Sequence, residues 1–311
     1  MKPTLDPVLV AAVLVLGFAA VIGFTDNFVR VIAAEAGLWQ FHVTRTLMIL
    51  AMLALVARPL GLNMRPKRLG AVVARSALHG VALMIYFGSL AFLPVAQVAA
   101  GLFTAPIFVL LLSRFVYGHS IGIVRILAVG IGFLGVGLVL GRDAIAGLSL
   151  PALMPVVAGA FYAMGNIATR EWCAEETTET LTMGFFAGIG CFGLIGLTFL
   201  ALFPVAVPEG TAGFVARGWV WPSAAFYWWT FVQAAGSMIA VAMLMRAYQI
   251  AEASRVSVFE YMNLPLAAFW GWALWSEQLG LWAVLGMVLI TLAGAMIALR
   301  AHQSTEPSPT A

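Results

Sequence analysis

Apolar stretches of about twenty residues, cut by short polar joints, run the length of the chain, and about twenty such residues are what a helix needs to cross a bilayer core. Read with that window, the sequence predicts spans at 8–31, 39–57, 70–91, 94–114, 122–141, 149–171, 180–202, 222–246, 254–275 and 281–300. Joints as short as those around Leu93–Pro94 and Gln278–Gly280 leave room only for antiparallel neighbours. The first apolar run follows a start carrying Lys2 and is longer than the ~7–15 residues of a signal-peptide core, so it reads as a retained span. The pattern predicts an all-α polytopic membrane protein of ten transmembrane helices, with both termini on one side.

Two stretches break the apolar pattern in the same way. Ser254–Pro265, SRVSVFEYMNLP, puts Glu260, Tyr261 and Asn263 into a segment that otherwise reads as membrane-buried, and ends on a proline. Val95–Pro106, VAQVAAGLFTAP, repeats the device upstream. Pro106 and Pro265 are 159 residues apart, and Gly135 and Gly294 keep the same offset without a gap. Helices four and five therefore recur as nine and ten. Five helices per copy is an odd number, so the second copy enters the membrane upside down, an arrangement common in secondary transporters. The predicted units are 1–145 and 146–302, each of five helices, followed by a polar, disordered tail at 303–311. A duplicated hairpin kept only as an evolutionary relic is the alternative.

Charge orients the array. With the N-terminus inside, the cytoplasmic flanks hold Lys2, Arg58, Arg65, Lys67, Arg68, Arg75, Arg114, Arg125, Arg170, Arg246, Arg255 and Arg300. The opposite flanks hold Arg30, Arg142 and Arg217. The bias puts both termini in the cytoplasm and the protein in the cytoplasmic (inner) membrane. Glu171, Glu175, Glu176 and Glu179 crowd one inner loop, but acidic residues count little in this rule. Trp219, Trp221, Tyr227, Trp228 and Trp229 read as an interfacial belt at the outer end of helix eight, beside the one long outer loop, 203–222.

Composition agrees: 63% of residues are hydrophobic, 9% are charged, and the mean hydropathy is +1.02. Soluble domains carry roughly 25% charged residues. The sequence pI of 9.1 does not imply nucleic acid, because the cations sort by loop. Cys173 and Cys191 suggest neither a disulfide framework nor a metal cluster. No phosphate-cradling glycine loop, metal-ligand spacing or nucleophile elbow is present in the sequence, which speaks against an enzyme, a cofactor or ATP driving.

The candidate chemistry lies in polar residues inside the spans, where a charge costs ~2.5–3.5 kcal/mol on insertion scales. Asp26 on helix one and Arg45 on helix two both lie roughly 8–9 Å inside the outer ends of their helices. They read as an ion pair serving either as a structural clamp or as an outer gate and substrate anchor. Gln97 on helix four has a similar depth. On the inner side Glu260 and Asn166 share a depth of ~9 Å, with His79 deeper. Glu260 and His79 are candidate proton carriers, although a histidine among apolar residues is also often a satisfied hydrogen-bonding group. Tyr86, Phe103, Tyr162 and Tyr261 either line a cavity for a flat ligand or pack as ordinary core. Pro106 and Pro265, in mid-helix, predict kinks that act as a hinge or as a static bend. Gly130, Gly132, Gly135 and Gly137, with Gly184 and Gly188, allow close helix packing, within one chain or across a homodimer face.

ASRVSVFEYMNLPLAAFWGWALWSEQLGLWAVLGMVLITLAG, with AAGLFTAPIFVLL and GFLGVGLVL upstream, resembles the EamA-type ten-helix members of the drug/metabolite transporter (DMT) superfamily. The likeness covers nearly the whole chain. It includes the prolines of helices four and nine, and Glu277 at the turn after helix nine; Gly118 and His119 stand where the first copy often carries its own turn glutamate. FTDNFVR and WQFHVTRTL look like the branch of S-adenosylmethionine and riboflavin uptake carriers, in which an aspartate on helix one and an arginine on helix two recur, here Asp26 and Arg45. The resemblance implies a carrier that moves a small organic metabolite across the lipid bilayer by alternating access. A proton-driven exporter of amino acids or toxic compounds is the alternative of the same class. A membrane scaffold that moves nothing is the alternative of another class.

Overall fold

A computed structural model describes residues 6–89, 93, 95–141, 150–209 and 213–303, and the helices below are those of the described residues. The expected boundary at 145/146 and residues 304–311 of the tail expected at 303–311 lie outside them, as does the side chain of Gln97; residue 303 itself ends the last helix. The elements are α1 (Pro7–Asp26), α2 (Val29–Glu35), α3 (Leu38–Ala57), α4 (Leu69–Ser89), α5 (Val95–Leu102), α6 (Ala105–Phe115) and α7 (Ile123–Leu140). A 3-10 turn at Leu150–Leu153 leads into α8 (Met154–Glu171), followed by α9 (Thr178–Leu202), α10 (Ala224–Ile250), α11 (Ala253–Glu260), α12 (Asn263–Trp275) and α13 (Leu281–Gln303).

Local chemistry sets several helix ends. Asp6 accepts from the Val8 amide at 2.8 Å just ahead of Pro7, Thr177 accepts from Thr180, and Ser223 accepts from Ala225. Each meets an amide that the first helical turn leaves without a partner. The acidic loop before α9 has a structural use. Glu176, largely buried, accepts from the amides of Lys67 at 2.9 Å and Arg68 at 2.6 Å, immediately before α4 begins. One of the carboxylates that crowd this loop therefore caps another helix across the fold.

Eight of the helical segments are long and apolar enough to cross a bilayer: Pro7–Glu35, Leu38–Ala57, Leu69–Ser89, Val98–Phe115, Ile123–Leu140, Thr178–Leu202, Ala224–Ile250 and Leu281–Arg300. Their outward faces keep large apolar side chains exposed, among them Leu55, Val73, Phe115, Leu134, Phe199 and Leu299. An apolar girdle of this extent needs lipid, and the protein is a polytopic membrane protein.

The packing pairs α1 with α10 and α12, α4 with α8 and α9, α3 with α9 and α10, α5 and α6 with α8, and α7 with α13. Glycines set several of these approaches, all within the chain. Gly135 faces the Gly286 carbonyl and Ile290 of α13, Gly132 faces the Tyr261 ring, and Gly184 and Gly188 face Ser76 of α4. Loop 203–222 is fastened at one end of the bundle, called here the loop end. Trp39 donates to the Val215 carbonyl, Gln40 exchanges two hydrogen bonds with Val220, and Arg217 donates to the carbonyls of Ala33 and Ala36. Phe28 stacks on Trp229 with ring centroids 4.0 Å apart.

The prolines correct one expectation. Pro106 and Pro265 do not kink continuous helices; each sits in the first turn of a new helix, after a break at 103–104 or at 261–262. A proline lacks the amide hydrogen that a helix interior needs but a first turn does not. At the first break Thr104 turns back, donating from Oγ1 to the Gly101 carbonyl at 2.6 Å. A third break, between α1 and α2, has no proline. Asn27 Nδ2 donates to the Gly23 carbonyl at 2.6 Å and Thr25 Oγ1 to Val21, side-chain bonds that compete with the helical ladder.

Candidate functional site

The polar residues within the spans gather into two clusters on either side of a cavity of about 250 Å³. The cluster nearer the loop end is built on three helices. Asp26 ends α1, Arg45 lies two turns into α3, and Gln233 lies inside α10. Gln233 Nε2 donates to Asp26 Oδ1 at 3.1 Å, while Arg45 Nη1 donates to Gln233 Oε1 at 3.3 Å. The expected Asp26–Arg45 ion pair is therefore not a direct contact. The buried Gln233 amide stands between anion and cation and presents the right group to each. Arg45 also contacts His42 Nδ1 at 3.1 Å and lies over the rings of Phe41 and Phe186. Both buried nitrogens His42 Nε2 and Arg45 Nε lack a hydrogen-bond partner among the described residues.

The second cluster surrounds Glu260, the last residue of α11. Tyr162 donates to Glu260 Oε2 at 2.8 Å, Tyr248 donates to Oε1, and Asn166 Nδ2 donates to Oε1 at 3.2 Å and to Tyr248 Oη at 3.1 Å. Three neutral donors thus meet one carboxylate where bulk water is largely excluded, which offsets much of the cost of burying it. Behind Asn166, His79 Nε2 lies 3.0 Å from Asn166 Oδ1, and His79 Nδ1 lies 3.1 Å from the Arg75 carbonyl. Arg75 is fully buried. It donates to Thr169 Oγ1 at 2.9 Å, to the Leu181 carbonyl at 3.0 Å and to the Met245 sulfur. Counted above with the flanking cations, Arg75 instead belongs to the interior, because α4 turns it toward α8 and α10.

Between the clusters the wall is mostly aromatic and aliphatic, with Phe18, Tyr86, Phe103, Tyr162, Phe185 and Phe186 supplying rings. Asp26, Arg45, Gln233, Ser237, Glu260 and Asn263 supply the polar groups of the lining. Ser237 Oγ and Asn263 Oδ1, like Arg45 Nε, have no hydrogen-bond partner among the described residues. Apolar walls with a few convergent polar atoms are the usual form of a small-molecule site. The lining is drawn from α1, α3, α4, α5, α6, α8, α9, α10, α11 and α12.

Of the predicted residues, Asp26, Arg45, Tyr86, Glu260 and Asn263 reach the cavity, and Pro106 lines it at the break before α6. His79 and Asn166 stand behind Glu260, bonded to it in series. Tyr261 does not line the cavity: fully buried, it packs against Gly132 of α7. Gln233 and Tyr248 escaped sequence reading, although each is a polar residue in an apolar run and carries the signal that singled out Asn166. Among the described residues no group of three His, Cys, Asp or Glu side chains is gathered to hold a metal.

Residues 9–141 match the EamA-like transporter family. A riboflavin transporter of Vibrio cholerae is 27% identical over 240 residues, covering 76% of this chain and 73% of that protein. A riboflavin transporter of Rhizobium johnstonii is 26% identical over 239 residues, covering 76% and 72%. A pseudopaline exporter of Pseudomonas aeruginosa is 24% identical over 241 residues, covering 77% and 78%. A solved crystal structure shares the fold with a TM-score of 0.75 over 94% of this chain and 98% of its own, at 15% identity.

Proposed function

Taking the chain as a membrane transporter of the EamA type, we propose that it is a secondary carrier moving a small organic metabolite across the cytoplasmic membrane by alternating access. The observation that carries this reading is the cavity itself: ring-lined, with a charged pair bridged by an amide at one end and a hydrogen-bonded carboxylate at the other. In this reading Asp26, Arg45 and Gln233 hold a polar end of the solute, Tyr86 and Phe103 cover its flat body, and Glu260 with Tyr162 meets the other end. Lipid is the partner of the outer girdle.

The carrier spans the membrane ten times, as two inverted five-helix units at 1–145 and 146–302, with both termini cytoplasmic. Beyond the eight apolar segments, α8 and the pair α11–α12 supply the remaining two spans. Helix pairing supports the repeat. Exchanging the first five spans for the last five turns α1–α10 into α8–α4, α5–α8 into α11–α1, and α4–α9 into α10–α3, and all of these pairs are packed together. The pairs α3–α9 and α7–α13 map onto themselves. Under such symmetry the breaks before Pro106 and Pro265 are matched hinges. A scaffold that moves nothing has no use for a polar-ended cavity at its centre. The relative named as a pseudopaline exporter keeps the alternative of an exporter in view, and the panel below includes pseudopaline.

The test is thermal stabilisation of the purified protein by a solute panel of riboflavin, S-adenosylmethionine, pseudopaline and amino acids. A solute present at 100 times its dissociation constant stabilises by ~2.7 kcal/mol. The reading expects at least one solute whose effect disappears in both Asp26→Asn and Glu260→Gln. A stabilising solute whose effect survives both substitutions contradicts the assignment of the cavity.

A further inference from the structure

The chain of hydrogen bonds behind Glu260 contains a mismatch. His79 is fully buried, and both ring nitrogens face oxygen acceptors, the Arg75 carbonyl at Nδ1 and Asn166 Oδ1 at Nε2. A neutral imidazole has one N–H and can satisfy only one of them.

Two arrangements remove the mismatch. In the first, His79 is an imidazolium donating from both nitrogens, Asn166 donates to Tyr248 and Glu260, and Glu260 is a carboxylate. In the second, the Asn166 amide is turned over. Its NH₂ donates to the lone pair on His79 Nε2, its oxygen faces Glu260 Oε1, and that oxygen carries a proton so that the carboxyl can donate to it. Amide oxygen and nitrogen occupy equivalent positions, so both arrangements use the same heavy-atom geometry. They contain the same number of protons, one more than a neutral imidazole beside a carboxylate. We propose that His79, Asn166 and Glu260 form a one-proton binding site in which the orientation of the Asn166 amide decides whether imidazole or carboxyl holds the proton.

The groups facing this site are few. From α4 comes the Arg75 guanidinium, bonded to neutral partners in Thr169, Leu181 and Met245, with the Cys173 thiol near it. From α8 and α10 come the phenols of Tyr162 and Tyr248. Tyr162 and Phe185 of α9 set their ring edges against His79 at 5.4 Å. Tyr261 follows Glu260 with its hydroxyl unpartnered, and Asp26 and Arg45 line the same cavity from α1 and α3. Both filled arrangements leave the cluster, Arg75 included, with one net positive charge; losing the proton leaves guanidinium and carboxylate alone. The empty site then leaves one unfavourable contact: a lone pair against an oxygen at one of the two His79 contacts or, with the Asn166 amide turned over, its oxygen against Glu260 Oε1. Glu260 is also part of the cavity wall, so a solute N–H bound there competes with the proton. That last consequence rests on the carrier reading; the proton site does not.

The test needs no solute, which separates it from the transport assay: a carrier without this site still exchanges solute, and a protein that carries nothing still titrates. Purified protein with ¹⁵N-labelled histidine is titrated by NMR alongside infrared detection of the protonated carboxyl stretch. The His79 signal is assigned by its loss in His79→Gln or, if that variant does not fold, by removing His42, His119 and His302. With the site filled, His79 carries hydrogen on both nitrogens, or on Nδ1 alone together with a carboxyl band that Glu260→Gln removes. Release is a single step seen by both probes, and Glu260→Gln moves the His79 midpoint by about one pH unit, a tenfold change in proton affinity. A His79 that stays protonated on Nε2 alone at every pH overturns the proposal. So does a His79 midpoint unmoved by Glu260→Gln.

Discussion

Glu260 is a buried carboxylate held by Tyr162, Tyr248 and Asn166, with no cation in contact among the described residues. Glu260→Gln preserves its shape but removes its charge and turns one acceptor into a donor facing other donors. Transport is expected to fall at least tenfold with expression and folding retained, and Asp26→Asn is expected to do the same at the other end of the cavity. Both are measured as solute exchange per milligram of reconstituted protein. Gln233→Leu tests the bridge. It leaves Asp26 Oδ1 and Arg45 Nη1 without the partner each now has, at a cost of about 1–3 kcal/mol, read as a lowered melting temperature in detergent. A melting temperature unchanged in Gln233→Leu contradicts the bridging role. Asp26, Arg45 and Glu260 were legible in the sequence because a charge in an apolar run stands out. The amide between Asp26 and Arg45 was not, since only the fold brings residue 233 to residues 26 and 45. Arg75 was misread for a related reason: near a helix start, sequence position does not say whether a side chain turns outward or inward.

At the scale of the element, the prolines announced the two breaks but not their form. A proline signals that a helix does not pass through it unchanged; whether the helix bends or restarts depends on neighbours such as Thr104, whose hydroxyl caps the end of α5. The break between α1 and α2 came with no such signal. Pro106→Ala restores an amide hydrogen that can reach the Leu102 carbonyl, so α5 and α6 are expected to straighten toward one helix. Solute exchange should then slow more than binding weakens, and equal loss of both contradicts a hinge. The glycine seam between α7 and α13 makes a paired prediction. At Gly135 an added side chain meets the Gly286 backbone and Ile290, so Gly135→Leu should destabilise by about 1–3 kcal/mol. At Gly130 nothing lies within 4 Å, and Gly130→Ala should stay within about 0.5 kcal/mol. Both are read from melting curves, and equal effects contradict the seam.

Across the whole molecule, the apolar pattern is weakest where the site is built. α8 carries Tyr162, Asn166 and Thr169, and the α11–α12 segment carries Glu260 and Asn263. Those residues lower the apolar content, and neither segment stands among the eight long apolar helices. All ten expected spans, 149–171 and 254–275 included, were read from the apolar pattern alone; the 159-residue offset added the correspondence of helices four and five with nine and ten. The most direct test of the account is exchange in sealed proteoliposomes: labelled solute, chosen as the strongest stabiliser of the purified protein, outside and excess unlabelled solute inside. The account predicts rapid accumulation of label by the wild-type protein, driven by the unlabelled gradient, and silence in both Asp26→Asn and Glu260→Gln. Accumulation no faster than in protein-free liposomes, from wild-type protein that binds the solute, would contradict it.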